Sequence, residues 1–127
     1  MAQLLLVGTG GFVGSVARYL VYRAVARSLP EARFPLDTLI VNVVGCFAIG
    51  LLATRTLGSG DTAARHFLVI GVLGGFTTFS TFGFDTFTLA REQGIAAVLT
   101  NVSLQVALGL AAVWAGFFAS RALGPGP

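Results

Sequence analysis

The sequence predicts an all-α membrane protein of four transmembrane helices, the third of them broken, and three observations predict it. The chain is 55% hydrophobic and only 10% charged, with a mean hydropathy of +0.86, whereas ordinary soluble domains carry about 25% charged residues. Its apolar residues fall into four long runs, and a helix rising about 1.5 Å per residue needs about 20 residues to cross about 30 Å of hydrocarbon. The third run also carries paired glycines and a hydroxyl cluster at mid-length, which weaken a helical ladder. Four such runs nearly exhaust the 127 residues and leave none for a soluble catalytic domain. Cys46 is the one cysteine, so no intrachain disulfide framework of the secreted kind is available.

The first helix is expected over about residues 4–24. Its run is too long, and too poor in N-terminal positive charge, for a cleaved signal peptide. Pro30, Glu31, Arg33 and Pro35 make the next stretch a loop, because proline cannot continue a helix. Helix two follows over about 36–54. A polar stretch then holds Gly58-Ser59-Gly60-Asp61, the composition of a flexible connection. Helix three is expected over about 66–90, interrupted within 74–82. Arg91-Glu92-Gln93-Gly94 reads as a tight turn and helix four as about 95–120, with a frayed Gly124-Pro125-Gly126-Pro127 tail. The chain reads as a single domain, residues 1–127, without internal repeats. Ala107, Ala111, Ala115 and Ala119, with Gly109 and Gly116 nearby, are expected to form a close-packing ridge on helix four. Gly10 and Gly14 in helix one are either a second such interface or a neutral run.

Membrane orientation follows the excess of Lys and Arg in short cytoplasmic loops. With four crossings, one side carries Arg23, Arg27, Arg33 and Arg91, and the other carries Arg55, Arg65, Arg121 and the terminal amine. The two sides are balanced. A chain without orientation bias is expected to insert both ways and to pair antiparallel, about a twofold axis in the membrane plane.

Polar groups within apolar runs are functional candidates because the bilayer makes them costly. Carboxylates are nearly missing from these runs, which argues against proton-coupled export. Asp85 lies near the end of helix three, where a charge that reaches interfacial water is at least as good a reading as a functional one. The single His66 has no second histidine or cysteine cluster beside it, and reads as an interfacial side chain rather than a metal ligand. Ser80 has no general base, so nucleophilic catalysis is set aside. No lysine occurs, so no phosphate loop of the G-x-x-x-x-G-K-[ST] type can exist. The chain is therefore expected not to be an enzyme, and no nucleic-acid partner is expected. Asn42 either bonds a neighbouring helix or donates to a passing anion, and Arg18 either snorkels or attracts anions to a wet vestibule. Phe76, Phe79 and Phe82 recur every three residues. They form either a packing layer or a set of electropositive ring edges for a small dehydrated anion.

Three motifs narrow these alternatives. Gly71-Val-Leu-Gly-Gly-Phe-Thr-Thr-Phe-Ser-Thr-Phe82 resembles the G-x-x-G-G-x-T-T-F-S-T-F signature of the Fluc fluoride channels, also called the CrcB family. Gly10-Gly11-Phe-Val-Gly14-Ser-Val-Ala-Arg18-Tyr19 is similar to the family's G-G-x-x-G-x-x-x-R-Y, and Thr38-Leu-Ile-Val-Asn42-Val-Val-Gly45 to its T-L-x-V-N-x-x-G. The three occur in order and span nearly the whole chain.

The resemblance implies a dual-topology antiparallel homodimer in the plasma (inner) membrane, with two passive fluoride pores that export cytoplasmic fluoride and give fluoride resistance. It implies that Phe79 and Phe82 line the pores with their edges and that Asn42 is the pore asparagine. Thr38, Ser80 and Thr81 are implied as hydroxyls along the path, and Arg18 as a vestibule cation. It further implies a structural sodium ion at the dimer axis, held by the main-chain carbonyls of Gly74 and Thr77. The chain departs from the family pattern at Asn101 and Gln105, where tyrosine and serine are frequent, and at Asp37, where glycine is usual.

Overall fold

The computed structural model describes residues 1–56 and 62–124. Every regular element among them is helical: α1 (Ala2–Ser28), α2 (Leu36–Thr56), α3, α4 (Phe79–Glu92) and α5 (Ile95–Ala122). Three contiguous segments, Thr62–Ala64, Arg65–Leu73 and Gly74–Phe76, make up α3, and the middle one is wound as a π-helix. The expected turn at Gly58–Asp61 and the tail beyond Gly124 lie outside the described residues. Ala2–Ser28, the 62–92 stretch and Ile95–Ala122 are each long and apolar enough to span a membrane, and Leu36–Leu52 is a shorter apolar helix. At about 1.5 Å per residue, the 21 residues of α2 still reach roughly the thickness of the hydrocarbon core.

The joints follow from local chemistry. α1 closes with the Leu29 amide on the Val25 carbonyl, 2.8 Å, just before Pro30. Pro35 offers its carbonyl to the Leu39 amide, 3.2 Å, and so opens α2 without needing the N–H it lacks. Asp37 accepts the Thr38 amide at 2.8 Å, satisfying one of the orphan donors of the first turn. Between α4 and α5 the chain reverses at Gly94, whose φ of 84° and ψ of −175° suit only glycine. The Gln93 side chain reaches the Arg33 carbonyl at 2.9 Å, tying this turn to the α1–α2 loop on the same side of the bundle.

Packing is helix on helix through backbone contact. α1 lies along α3, α2 along α5, and α4 against α5. Gly10 and Gly14 are the buried residues of α1. A Cβ on Gly14 would strike the Val72 carbonyl, and one on Gly71 would come within 2.9 Å of the Gly10 Cα. The G-x-x-x-G of helix one is therefore an interface within the chain. Gly50 and Gly116 play the same part between α2 and α5, against the carbonyls of Val113 and Phe47.

Of the expected ridge on helix four, Gly116 packs directly on the α2 backbone within the chain. Gly109 and Gly116 are buried, whereas Ala107, Ala111 and Ala115 are exposed. The two sets lie on opposite faces, because seven residues return a helix to one side and two residues do not.

The interior inverts that of a soluble protein. Among the described residues the largest fully buried side chains are Val41, Asn101, Thr38 and Ser120, while Trp114, Phe118, Leu110 and Phe87 face outward. Polar groups hydrogen-bond inside and apolar ones face the surroundings, the arrangement hydrocarbon requires. The protein is a multi-pass membrane protein.

Candidate ion pathway

The centre of the molecule is the break between α3 and α4. Thr77 (φ −80°, ψ 161°) and Thr78 (φ −152°, ψ 118°) are both extended. Two anchors hold them. Thr78 is the N-cap of α4: its hydroxyl oxygen accepts the Thr81 amide at 3.2 Å and donates to the Thr81 hydroxyl at 3.0 Å. Asn42 then pairs with the Thr78 backbone as a neighbouring strand would. The Thr78 amide donates to Asn42 Oδ1 at 2.9 Å, and Asn42 Nδ2 donates to the Thr78 carbonyl at 3.2 Å. Arg18 donates to the Thr77 carbonyl at 3.2 Å. Backbone groups freed at membrane depth thus find partners in three side chains, Arg18, Asn42 and Thr78 itself.

The second donor hydrogen of Asn42 goes to Gln105 Oε1, 3.2 Å away on α5. Thr38, one turn before Asn42 and 1% exposed, donates its hydroxyl to Asp85 Oδ2 at 2.7 Å. The Tyr22 hydroxyl lies 3.5 Å from the same oxygen of Thr38. Asn101 donates to the Thr86 hydroxyl at 2.9 Å, and Thr86 donates to the Phe82 carbonyl at 2.7 Å. A polar seam therefore runs between α2, α4 and α5.

Phe79 opens α4 and is 83% exposed, with its ring centroid 5.5 Å from that of Phe82 and tilted by 55°. Phe76 does not share their register. It ends α3, and the two extended threonines break the three-residue repeat. Asn42, Gly74, Thr77 and Phe79 line one open groove of about 360 Å³. Phe82, Thr38, Ser80, Thr81 and Arg18 do not line it. Ser80 is exposed, its hydroxyl 3.2 Å from that of Thr78. A second groove of about 440 Å³, at the loop end of the bundle, collects Arg33, Asp37, Asp85 and Glu92.

Sequence reasoning did not foresee the partners of three members of the seam. It weighed Asp85 as either an interfacial charge or a functional group, and Asp85 is half-buried, accepting the Thr38 hydroxyl. Its place was foreshadowed by spacing, since Thr78, Thr81 and Asp85 fall on one face of a helix. It counted Thr78 only among several hydroxyls, although Thr78 is both cap and Asn42 partner. The Gln105–Asn42 contact joins residues 63 apart, and no local pattern signals it.

The family model described as "CrcB-like protein, Camphor Resistance (CrcB)" matches residues 5–117. A protein of Solibacter usitatus named "Fluoride-specific ion channel FluC" is 48% identical over 122 residues, covering 94% of this chain and 98% of its own length. One of the same name from Paracoccus denitrificans is 48% identical over 119 residues, 94% of each chain. A third, from Geobacter sulfurreducens, is 43% identical over 125 residues, 97% of this chain and all of its own. These relatives are named as channels, not enzymes. Matched over residues 5–117 and by full-length relatives at these identities, the chain belongs to the CrcB family.

Proposed function

We propose that the protein is a fluoride-selective passive channel that lets cytoplasmic fluoride leave across the inner (plasma) membrane and so gives fluoride resistance. The observation that carries this reading is the near full-length identity, 48%, to relatives named as fluoride-specific channels. The seam of hydroxyls and carboxamides supports it physically. A small anion entering a narrow pore loses its water, and neutral N–H and O–H donors replace that water without the tight hold of a full positive charge. Ring edges add to this. The rim of a phenyl group carries the positive part of its quadrupole, and Phe79 and Phe82 present tilted rather than stacked rings. Thr38, Ser80 and Thr81 extend the line of hydroxyls, and Arg18 supplies positive charge near the break.

Fluoride enters cells as the neutral acid and dissociates inside, and the interior-negative potential drives the anion outward at about 2.3 kcal/mol per charge per 100 mV. No ATP is needed.

The working unit in this reading is an antiparallel homodimer with two pores. The single chain leaves Phe79 83% exposed and the Asn42–Phe79 groove open, and a second copy would cover both. A structural sodium ion at the dimer axis belongs to the same reading. The donor chemistry fits: the Thr78 amide goes to Asn42 rather than to the Gly74 carbonyl four residues back, and Gly74 lies exposed in the groove. The Thr77 carbonyl spends one lone pair on Arg18 and keeps the other. Two copies would offer four carbonyl oxygens, a hard donor set suited to sodium.

Purified protein in liposomes tests the reading. Fluoride efflux without chloride efflux is expected, and it should fall when sodium is replaced by a large organic cation. Efflux of a different ion would make the protein another kind of channel, and no flux of any ion would leave an assembly scaffold.

A further inference from the structure

If fluoride passes the break, Asn42 has nothing left to give it. The orientation of its amide is forced. The Thr78 backbone N–H is a donor, so the Asn42 atom 2.9 Å from it must be oxygen. The Asn42 nitrogen then faces the other way, and its two hydrogens go to the Thr78 carbonyl and to Gln105, both at 3.2 Å. Because a donor faces Gln105, Gln105 must turn its oxygen toward Asn42. Its Nε2 is left buried and without a hydrogen-bond partner. One backbone amide thus sets the polarity of two side chains in succession and leaves a carboxamide donor uncommitted on α5.

The neighbouring amide does not consume it. Thr86 gives its hydroxyl hydrogen to the Phe82 carbonyl and so accepts from Asn101 Nδ2. Asn101 Oδ1 therefore remains an acceptor, also buried and unpartnered. Asn101 and Gln105 lie four residues apart on one face of α5 but do not bond each other. An acceptor repels a bare anion and suits water, whereas an uncommitted N–H suits the anion itself.

We infer that Gln105 Nε2 is the hydrogen-bond donor that takes the fluoride ion beside the break, and that Asn42 positions Gln105 rather than donating to the ion. This inference rests on the fluoride reading above. A neutral carboxamide is directional enough to select a small, strongly accepting anion and weak enough to release it, as conduction requires. It also gives the chain's departure at this position a purpose: the longer side chain reaches across to Asn42 and still keeps an N–H free.

The test compares wild type, Gln105→Met and Gln105→Glu in liposomes with a fluoride electrode. Gln105→Met keeps length and neutrality and removes the donor, while Gln105→Glu keeps an oxygen toward Asn42 and replaces the donor with a second oxygen. Both should lower fluoride flux at least tenfold while eluting as wild-type assemblies. Gln105→Met conducting within twofold of wild type would overturn the inference and leave the fluoride channel standing. Wild type conducting no fluoride would overturn both.

A second measurement uses the unaltered protein and does not depend on the variants folding. The Gln105 side-chain amide resonance, distinguished from Gln3 and Gln93 by substituting those two, should move on titration with sodium fluoride and not with sodium chloride. A resonance indifferent to fluoride would overturn the inference.

Discussion

At the scale of single residues, Asn42 replaces the helical partner of a residue that has left the helix. Asn42→Asp puts a carboxylate oxygen against the Thr78 carbonyl and Gln105 Oε1, where two N–H groups now sit at 3.2 Å. The expected result is loss of flux together with a destabilisation of about 1–3 kcal/mol or more, the order of leaving buried acceptors unsatisfied. Flux measured alongside thermal unfolding of the purified protein checks it, and a variant as stable and conductive as wild type would return Asn42 to ordinary packing. Phe79 and Phe82 make a different claim. Phe79→Ile and Phe82→Ile keep apolar bulk and remove the electropositive ring edge, so each should reduce fluoride flux about tenfold or more, a loss of about 1.4 kcal/mol in barrier stabilisation, with elution from a sizing column unchanged from wild type. Wild-type flux in both would remove the edge hypothesis. The exposure of Phe79, 83% in the single chain, makes its substitution unlike that of a core residue, so a loss of flux there reports on the path rather than on folding.

At the scale of elements, glycine sets how closely the helices approach. Gly14→Ala and Gly116→Ala would drive a methyl group into the carbonyls of Val72 and Phe47, and should destabilise by about 1–3 kcal/mol, as overpacking does. Gly8→Ala meets nothing within 4 Å and should instead stabilise α1 by up to about 1 kcal/mol through helix propensity. Thermal or denaturant unfolding in detergent compares the three, and equal effects would mean that the glycine faces do not govern packing. Much at this scale is readable from sequence because its causes are local: Pro30 and Pro35 bound the first loop, Gly94 takes a φ of 84° at the reversal, and the threonine pair sits where the third helix parts. The nine-residue π-winding of Arg65–Leu73 has no local cause of that kind. It brings Gly71 and Gly75 onto Gly10 and Gly11, a contact that exists only once α1 and α3 are together. What meets the small residues of α5 is non-local for the same reason. Periodicity locates a stripe of small residues but not which of two opposite stripes another helix will meet. The site divides likewise, for the Thr78 cap is a sequence-local device, whereas Asn42–Gln105 and Thr38–Asp85 are bonds across 63 and 47 residues.

At the scale of the whole molecule, the arginines govern which way each chain faces, and they divide evenly between the two sides. Among the described residues, three arginines lie over aromatic rings one turn back in their own helices: Arg23 over Tyr19, Arg91 over Phe87 and Arg121 over Phe117, each about 6 Å from the centroid. Such pairs place a cation and an amphipathic or aromatic ring together near a helix end, where both favour the membrane interface. Two of them, Arg23 and Arg91, belong to the side of the α1–α2 loop, and Arg121 belongs to the other with Arg55, Arg65 and the terminal amine. Gln93 bonding the Arg33 carbonyl joins the α1–α2 loop to the α4–α5 turn on one side, so the two sets of charges are physically opposed. Each side totals four positive groups, and acidic residues contribute little to orientation. Chains should therefore insert both ways in comparable numbers, as an antiparallel pair demands. Replacing Cys46 with serine and placing one cysteine at Ala32, exposed in the α1–α2 loop, lets an impermeant thiol reagent count the orientations in intact cells. About half of the chains should react before lysis and all of them after it. Adding Arg to one side alone, for example Gln93→Arg with Ala32→Arg in a chain whose reporter cysteine is moved to Glu31, should push the labelled fraction toward none, because positive charge holds that side in the cytoplasm. Labelling of nearly all or nearly none of the unaltered chains would establish a single orientation, and the antiparallel dimer would have to be given up.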